Sequence, residues 1–145
     1  MKILNKTLIA IIMLSFFMIN GNSNAQNANH VYTIQKWRVV IPANGSSAEL
    51  DKLLQEWHDK IVMKNDKVIS EIVMRHNTGS DSRDLLFVTE YANWNDIDAA
   101  DKIQWNLVDQ AWPNKDDRKE YFDTWNKYGR FHSDEIMTEK SKLRK

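Results

Sequence analysis

The segment YGRFHSDEIMTEK, beginning at Tyr128, sets His132 two residues before Asp134, just after a glycine and an aromatic run. Two residues apart on a strand, the pair shares one face. A carboxylate beside an imidazole orients the ring and favours its protonated form, an arrangement suited to general acid/base work near neutral pH. Trp125, Tyr128 and Phe131 lie just before them and supply aromatic surface, so the mixture is that of a small-molecule pocket. Arg75 and His76 end a separate β-rich run, where a guanidinium beside an imidazole suits an anionic headgroup. The candidate site therefore holds His132 and Asp134 as the catalytic pair, with Arg75, His76, Trp125 and Tyr128 binding ligand. A plainer reading stands beside it. Tyr121, Phe122 and Trp125 then form a helical core stripe, His132 hydrogen-bonds at a strand start, and Arg75–His76 is a solvated edge.

Other chemistries find no support. His30, His58, His76 and His132 are scattered, without H-x-x-x-H or H-E-x-x-H spacing, so no metal centre is expected. The chain has no cysteine, which excludes disulfides and thiol nucleophiles. It lacks a Gly-rich phosphate loop and a G-x-S-x-G elbow, and no cofactor is expected. The 20 basic and 20 acidic residues balance, so there is no basic face for nucleic acid.

These side chains need elements to hold them. VYTIQKWRVVIP, closed by Pro42, is rich in β-branched and aromatic residues and predicts a strand. Ser46 and Glu49 make a capping box before the stripe Leu50, Leu53, Leu54, Trp57 and Ile61, one face of an amphipathic helix with His58 on its flank. DKVISEIVMRHN and RDLLFVTEY, joined by the turn-rich TGSDS, predict a hairpin. Asn95 is the expected cap of a second helix, with stripe Ile97, Ala100, Ile103 or Gln104, Leu107, Val108 and Ala111, ended by Pro113. A third helix starts near Lys115, and Gly129 is expected in the left-handed position after it. The fourth strand runs through HSDEIMTE.

Strand, helix, strand, strand, helix, helix, strand is the split βαβ plan. It predicts an α+β, ferredoxin-like sandwich with a four-stranded antiparallel sheet in the order four, one, three, two and an extra helix before the last strand. His132, Asp134, Arg75 and His76 then collect toward one end of the sheet, with three strand spacings of about 4.8 Å between the two pairs. Both alternation sets of the third strand are bulky, Leu85 and Phe87 against Leu86 and Val88. A sheet apolar on both sides needs cover on both, which predicts a homodimer through the face the helices leave open.

The first residues read as a leader. Lys2 and Lys6 precede the apolar run Leu8–Ile19, and small residues follow at Ser23 and Ala25. A secretory signal peptide cleaved after Ala25 is expected, with export to the periplasm or beyond and no remaining membrane attachment. The remaining 120 residues fit one domain over 31–140, after a lead-in at 26–30 and before a basic tail at 141–145. Without Lys2 and Lys6, 18 basic residues face 20 acidic ones, a net charge of −2.

In its element order, and in VTEYANW followed by a helix, the chain resembles the dimeric α+β barrel superfamily, which includes antibiotic-biosynthesis monooxygenase-like, NIPSNAP-like and haem-degrading proteins. Haem-degrading members use an asparagine, a tryptophan and a histidine. This chain has those residue types in no matching pattern, so no catalytic residue is carried over. Three functions follow as expectations. The first is an exported accessory protein binding a small apolar or aromatic ligand. The second is a cofactor-independent monooxygenase-like or isomerase-like enzyme with His132 as base. The third is an interaction domain with a filled core. A void lined by Trp125, Tyr128, His132 and a first-strand residue separates the first two from the third.

Overall fold

The computed structural model of the chain describes residues 29–79 and 82–145. The expected leader at 1–25, the lead-in up to residue 28, and Ser80 and Asp81 of the hairpin loop lie outside the described residues. The elements are β1 (Val31–Val39), α1 (Ser47–Lys60), β2 (Ser70–Arg75), β3 (Asp84–Tyr91), α2 (Asn95–Ala111), α3 (Lys115–Tyr128) and β4 (Gly129–Thr138). Short 3-10 turns lie at Val62–Lys64 and Ser141–Leu143. The strands form one antiparallel sheet in the order β2-β3-β1-β4, the expected order read from the other edge. This is the α+β, ferredoxin-like arrangement.

The α1 stripe forms as its spacing predicts. Leu50, Leu53 and Ile61 are buried, and they meet Leu85 of β3, Val108 of α2 and Tyr121 of α3 in the core. Burying each large aliphatic side chain contributes roughly 1.5–3 kcal/mol. The Tyr121 hydroxyl donates to the Leu53 carbonyl at 3.0 Å, which satisfies a polar tip inside the aromatic layer. Among the described residues, no helix is long and apolar enough to cross a membrane.

Four local expectations are corrected. Ser46 Oγ caps α1 by accepting the Glu49 N–H at 3.0 Å, but the reciprocal half of the box is rebuilt. The Ser46 N–H donates to the Tyr128 hydroxyl at 3.0 Å, and that hydroxyl in turn donates to the Glu49 carboxylate. Asn95 is the first residue of α2 and does not cap it. The side chain that accepts its N–H, at 2.9 Å, is Asn93. β2 is shorter than its apolar run, because Asn65 ties Lys67 and Val68 into a turn. Gly129 is not left-handed. Its φ of −75° and ψ of 123° are extended, and α3 runs directly into β4. Glycine is needed there for close approach, since a Cβ would lie 3.0 Å from the Trp37 ring and 3.2 Å from that of Trp125.

Candidate functional site

Strand alternation gives the sheet two unlike faces. In register, His132, Trp37, Leu85 and Arg75 form one row across the sheet, and Asp134, Gln35, Phe87 and Val73 form the next. These rows face the helices. The opposite face carries Ile34, Leu86, Val88 and Ile72, with Phe131 and Met137 at the β4 edge.

Between the helix-facing rows and the helices lies a cleft of about 570 Å³. Its floor is Thr33, Gln35 and Trp37 of β1, Phe87 and Thr89 of β3, and Glu71 of β2. Its roof is Leu54 and Trp57 of α1, Ile97 and Gln104 of α2, and Phe122 and Trp125 of α3. Of the alternatives in the α2 stripe, it is therefore Gln104 that turns into the cleft. The helices do not close over the floor, since Gln35 remains exposed although it points toward them.

The aromatic walls brace one another. Trp125 meets Trp37 edge-on with ring centres 5.3 Å apart and Phe87 at 6.4 Å, while Trp57 stacks parallel to Tyr121 at 6.3 Å. Such contacts hold flat apolar surfaces in fixed orientations. The polar end centres on Glu71, whose carboxylate accepts one hydrogen bond, from Thr89 Oγ1 at 2.9 Å. Burial pushes the Glu71 carboxyl up from its ordinary value, and the Thr89 hydrogen bond and the charge of His58 on α1 only partly offset this. Burial likewise raises the neighbouring Tyr91 phenol. A carboxyl held near apolar surface with one donor is a group that can exchange a proton or take a ligand's donor.

The sequence-predicted residues divide. Trp125 and Asp134 line the cleft. His132 stands one rung away, its ring edge-on to Trp37 with centres 4.2 Å apart. Its Nδ1 is 3.7 Å from Asp134 Oδ2, an ion-pair separation longer than a hydrogen bond. Tyr128 is fully buried outside the cleft, its hydroxyl used by Ser46 and Glu49. Arg75 borders a separate hollow of about 470 Å³ with Leu50, Val73 and Leu85. His76 hydrogen-bonds through its ring to the Thr78 carbonyl and lies 3.7 Å from Asp84. Glu71 was missed by sequence reasoning. The available signal was its place in the same alternation set as Val73 and Arg75, an acid on the helix-facing side of an edge strand.

On the other face, Glu90 forms a second polar centre. Burial alone would raise its carboxyl, but donors from Ser70 at 2.6 Å, His30 at 2.6 Å and Tyr32 at 2.8 Å hold it down to about 2. Burial, with Glu90 as neighbour, pushes the Tyr32 phenol up to about 12. His30, Glu90 and Glu139 bring ligand-type atoms within 4.8 Å of one another. The Arg144 guanidinium stands 3.8 Å from Glu90 and 3.6 Å from Glu139, so the counter-charge is already supplied by the chain. The cluster reads as a structural knot joining the chain end to the sheet.

No sequence family matches this chain, and no curated protein matches it by sequence. Solved structures match the fold. A NIPSNAP family protein of unknown function from Agrobacterium tumefaciens aligns with a TM-score of 0.53 at 11% identity, over 78% of this chain and 90% of that one. A dimeric ferredoxin-like protein from an uncultured marine organism gives 0.52 at 10% identity, over 82% and 94%. SnoaB, a cofactor-independent oxygenase from Streptomyces nogalater, gives 0.50 at 8% identity, over 81% and 100%. At these identities the likeness is one of fold.

Proposed function

We propose that this protein is an exported small-molecule-binding protein that holds its ligand in the cleft between the sheet and the helices. The observation that carries the reading is the cleft itself, about 570 Å³ with braced aromatic walls and a polar end at Glu71, Thr89 and Tyr91. That volume and mixture suit a ligand of one or two rings. The test is titration with a panel of mono- and bicyclic aromatic compounds, read by tryptophan fluorescence. Saturable binding that is lost in the cleft-filling variant Gln104→Trp is expected. Failure of every compound to bind at millimolar concentration would overturn the reading. Export rests on the leader at residues 1–25. Mass spectrometry of the exported protein should find Gln26 at its N-terminus, and an intact Met1 in the membrane fraction would sink that part.

The protein acts as a homodimer paired through its open sheet face. Ile72 and Phe131 are 56% and 60% exposed there, beside half-buried Ile34, Leu86 and Val88. A contiguous apolar band of this kind favours a covering partner. The marine ferredoxin-like protein of the same fold is described as dimeric.

A second reading, a cofactor-independent oxygenase- or isomerase-like enzyme, is favoured by one observation. Glu71, a carboxyl raised by burial, sits inside the cleft, where a general base is wanted. His132 is placed as a support for Trp37 at the cleft's edge. An enzyme predicts turnover of a bound compound that stops in Glu71→Gln, while a binding protein returns the compound unchanged.

A further inference from the structure

Resting on the cleft as a binding site, we propose that its ligand class is the organic cation: an amine or quaternary ammonium carried on an apolar, ring-sized body. The inference comes from which charges the lining holds and which it lacks. Three carboxylates border the cleft on its helix-facing side: Glu71 from β2 within, and Asp101 from α2 and Asp134 from β4 at the exposed rim. Glu135 also borders it, but pairs with Ile34, so its side chain belongs to the other face. Among the described residues, no lysine, arginine or histidine lines the cleft, and the one basic group that acts on Glu71 is His58, outside the lining on α1. In a chain with equal numbers of basic and acidic residues, that asymmetry is local to this site.

The rings complete the case. Trp37, Trp57 and Trp125, with Phe87 and Phe122, all line the same space. Indole faces attract cations, and the attraction grows as water is excluded. Elsewhere the protein uses this contact itself: Lys60 Nζ lies 4.6 Å from the ring centre of Trp112, outside the cleft lining. The cation contacts found among the described residues use Phe131 and Trp112, neither of them a ring of the cleft lining. A neutral aromatic would use the walls and leave the three carboxylates without purpose. An anion would meet them as repulsion.

Glu71 gives the pH dependence. The groups that act on it are Thr89 from β3 and the charge of His58 from α1, and both Glu71 and Asp101 of α2 act on the neighbouring Tyr91. Its burial favours the neutral acid, so a bound cation must draw the proton off. Affinity then rises as pH climbs through the Glu71 pKa.

The experiment compares three heads on one ring: phenyltrimethylammonium, its neutral isostere tert-butylbenzene, and benzenesulfonate. Calorimetry on the wild-type protein is expected to rank them in that order, with the cation bound about tenfold tighter than the isostere at pH 7. The cation's affinity should rise from pH 4 to pH 8, and the rise should be smaller in Glu71→Gln. If tert-butylbenzene or benzenesulfonate binds as tightly as the cation, the charge preference is overturned while the cleft stands. An undiminished pH rise in Glu71→Gln overturns the role given to Glu71. If none of the three binds, the cleft reading fails with it. The wild-type ranking needs no variant to fold.

Discussion

Glu71 and Glu90 stand on neighbouring strands one rung apart, Glu71 paired with Thr89 and Glu90 with Ser70, and they face opposite sides of one sheet. Glu90 has three donors and a guanidinium nearby, and its carboxyl sits at about 2. Glu71 has one donor and an aromatic cleft, and its carboxyl is raised. The same residue type has been put to opposite ends by its hydrogen-bond count. A fully satisfied buried carboxylate fixes structure, whereas an under-satisfied one costs stability and remains available to something that arrives later. The difference extends to the faces. The Glu90 side carries an apolar band, with Glu90 itself held by partners from within the chain. The Glu71 side is a cleft whose acids have no basic residue in the lining.

The largest effect should come from charging the apolar band. Leu86→Arg puts a cation at the centre of the open face, and a dimer formed there should weaken by roughly 3 kcal/mol, about a hundredfold. Light scattering at micromolar concentration should show the wild type at twice the 120-residue mass and the variant as monomer. Ligand binding in the cleft should persist in that monomer. A variant that remains dimeric places the interface elsewhere.

Next comes the Glu90 knot. Glu90→Gln removes charge-assisted bonds from Ser70, His30 and Tyr32, and should cost on the order of 2 kcal/mol at pH 7 in urea denaturation. The folded carboxyl lies below its ordinary 4.5. Its contribution is therefore complete above about pH 4.5 and disappears as pH falls toward 2. The variant's stability should be flatter than the wild type's across that window. An equal slope in both would break the contrast between the two glutamates.

Glu71→Gln should act with the opposite sign. A raised folded pKa means the native state holds its proton longer than the unfolded chain does. Stability from that proton is full below the unfolded value and is lost as pH rises through the folded one. Replacing the acid with its neutral isostere should leave folding at pH 7 unchanged or better by up to about 1 kcal/mol. The same urea series measures it. A loss as large as that of Glu90→Gln would mean that Glu71 is a structural residue like its neighbour.

The contrast also marks how much was legible in the sequence. The element order and the sheet order follow from period-two strands, the Leu50-to-Ile61 stripe and Pro113, because these local signals agree with the tertiary fold. Gly129 misled, since a glycine after a helix can serve a left-handed turn or the close approach of two indoles. Only packing tells which. The Ser46 half of the capping box forms as its spacing predicts, but the Glu49 carboxylate accepts from Tyr128, 79 residues away, which has no local signal. Glu71 was hidden for the same reason: its environment is made by Thr89 across a strand and by helices that cross the floor. His132 and Asp134 drew notice because they are close in sequence. Of the two, Asp134 reaches the cleft lining, while His132 stands beside it.

The smallest effect should be at His132. Its ring is about one-third exposed and touches Trp37 edge-on at 4.2 Å, and Asp134 is too far for a hydrogen bond. His132→Ala therefore loses one aromatic contact at the surface and should cost about 1 kcal/mol or less. Trp37 is also held by Trp125 at 5.3 Å, so the cleft floor should keep its shape. Affinity for a cleft ligand should change by less than about threefold, well under 1 kcal/mol. Asp134→Asn removes a rim charge, and its effect on a cationic ligand should exceed that of His132→Ala and weaken with added salt. If His132→Ala abolishes binding or turnover while the protein stays folded, the imidazole acts on the ligand. The site would then extend from the cleft across Trp37 to the β4 edge.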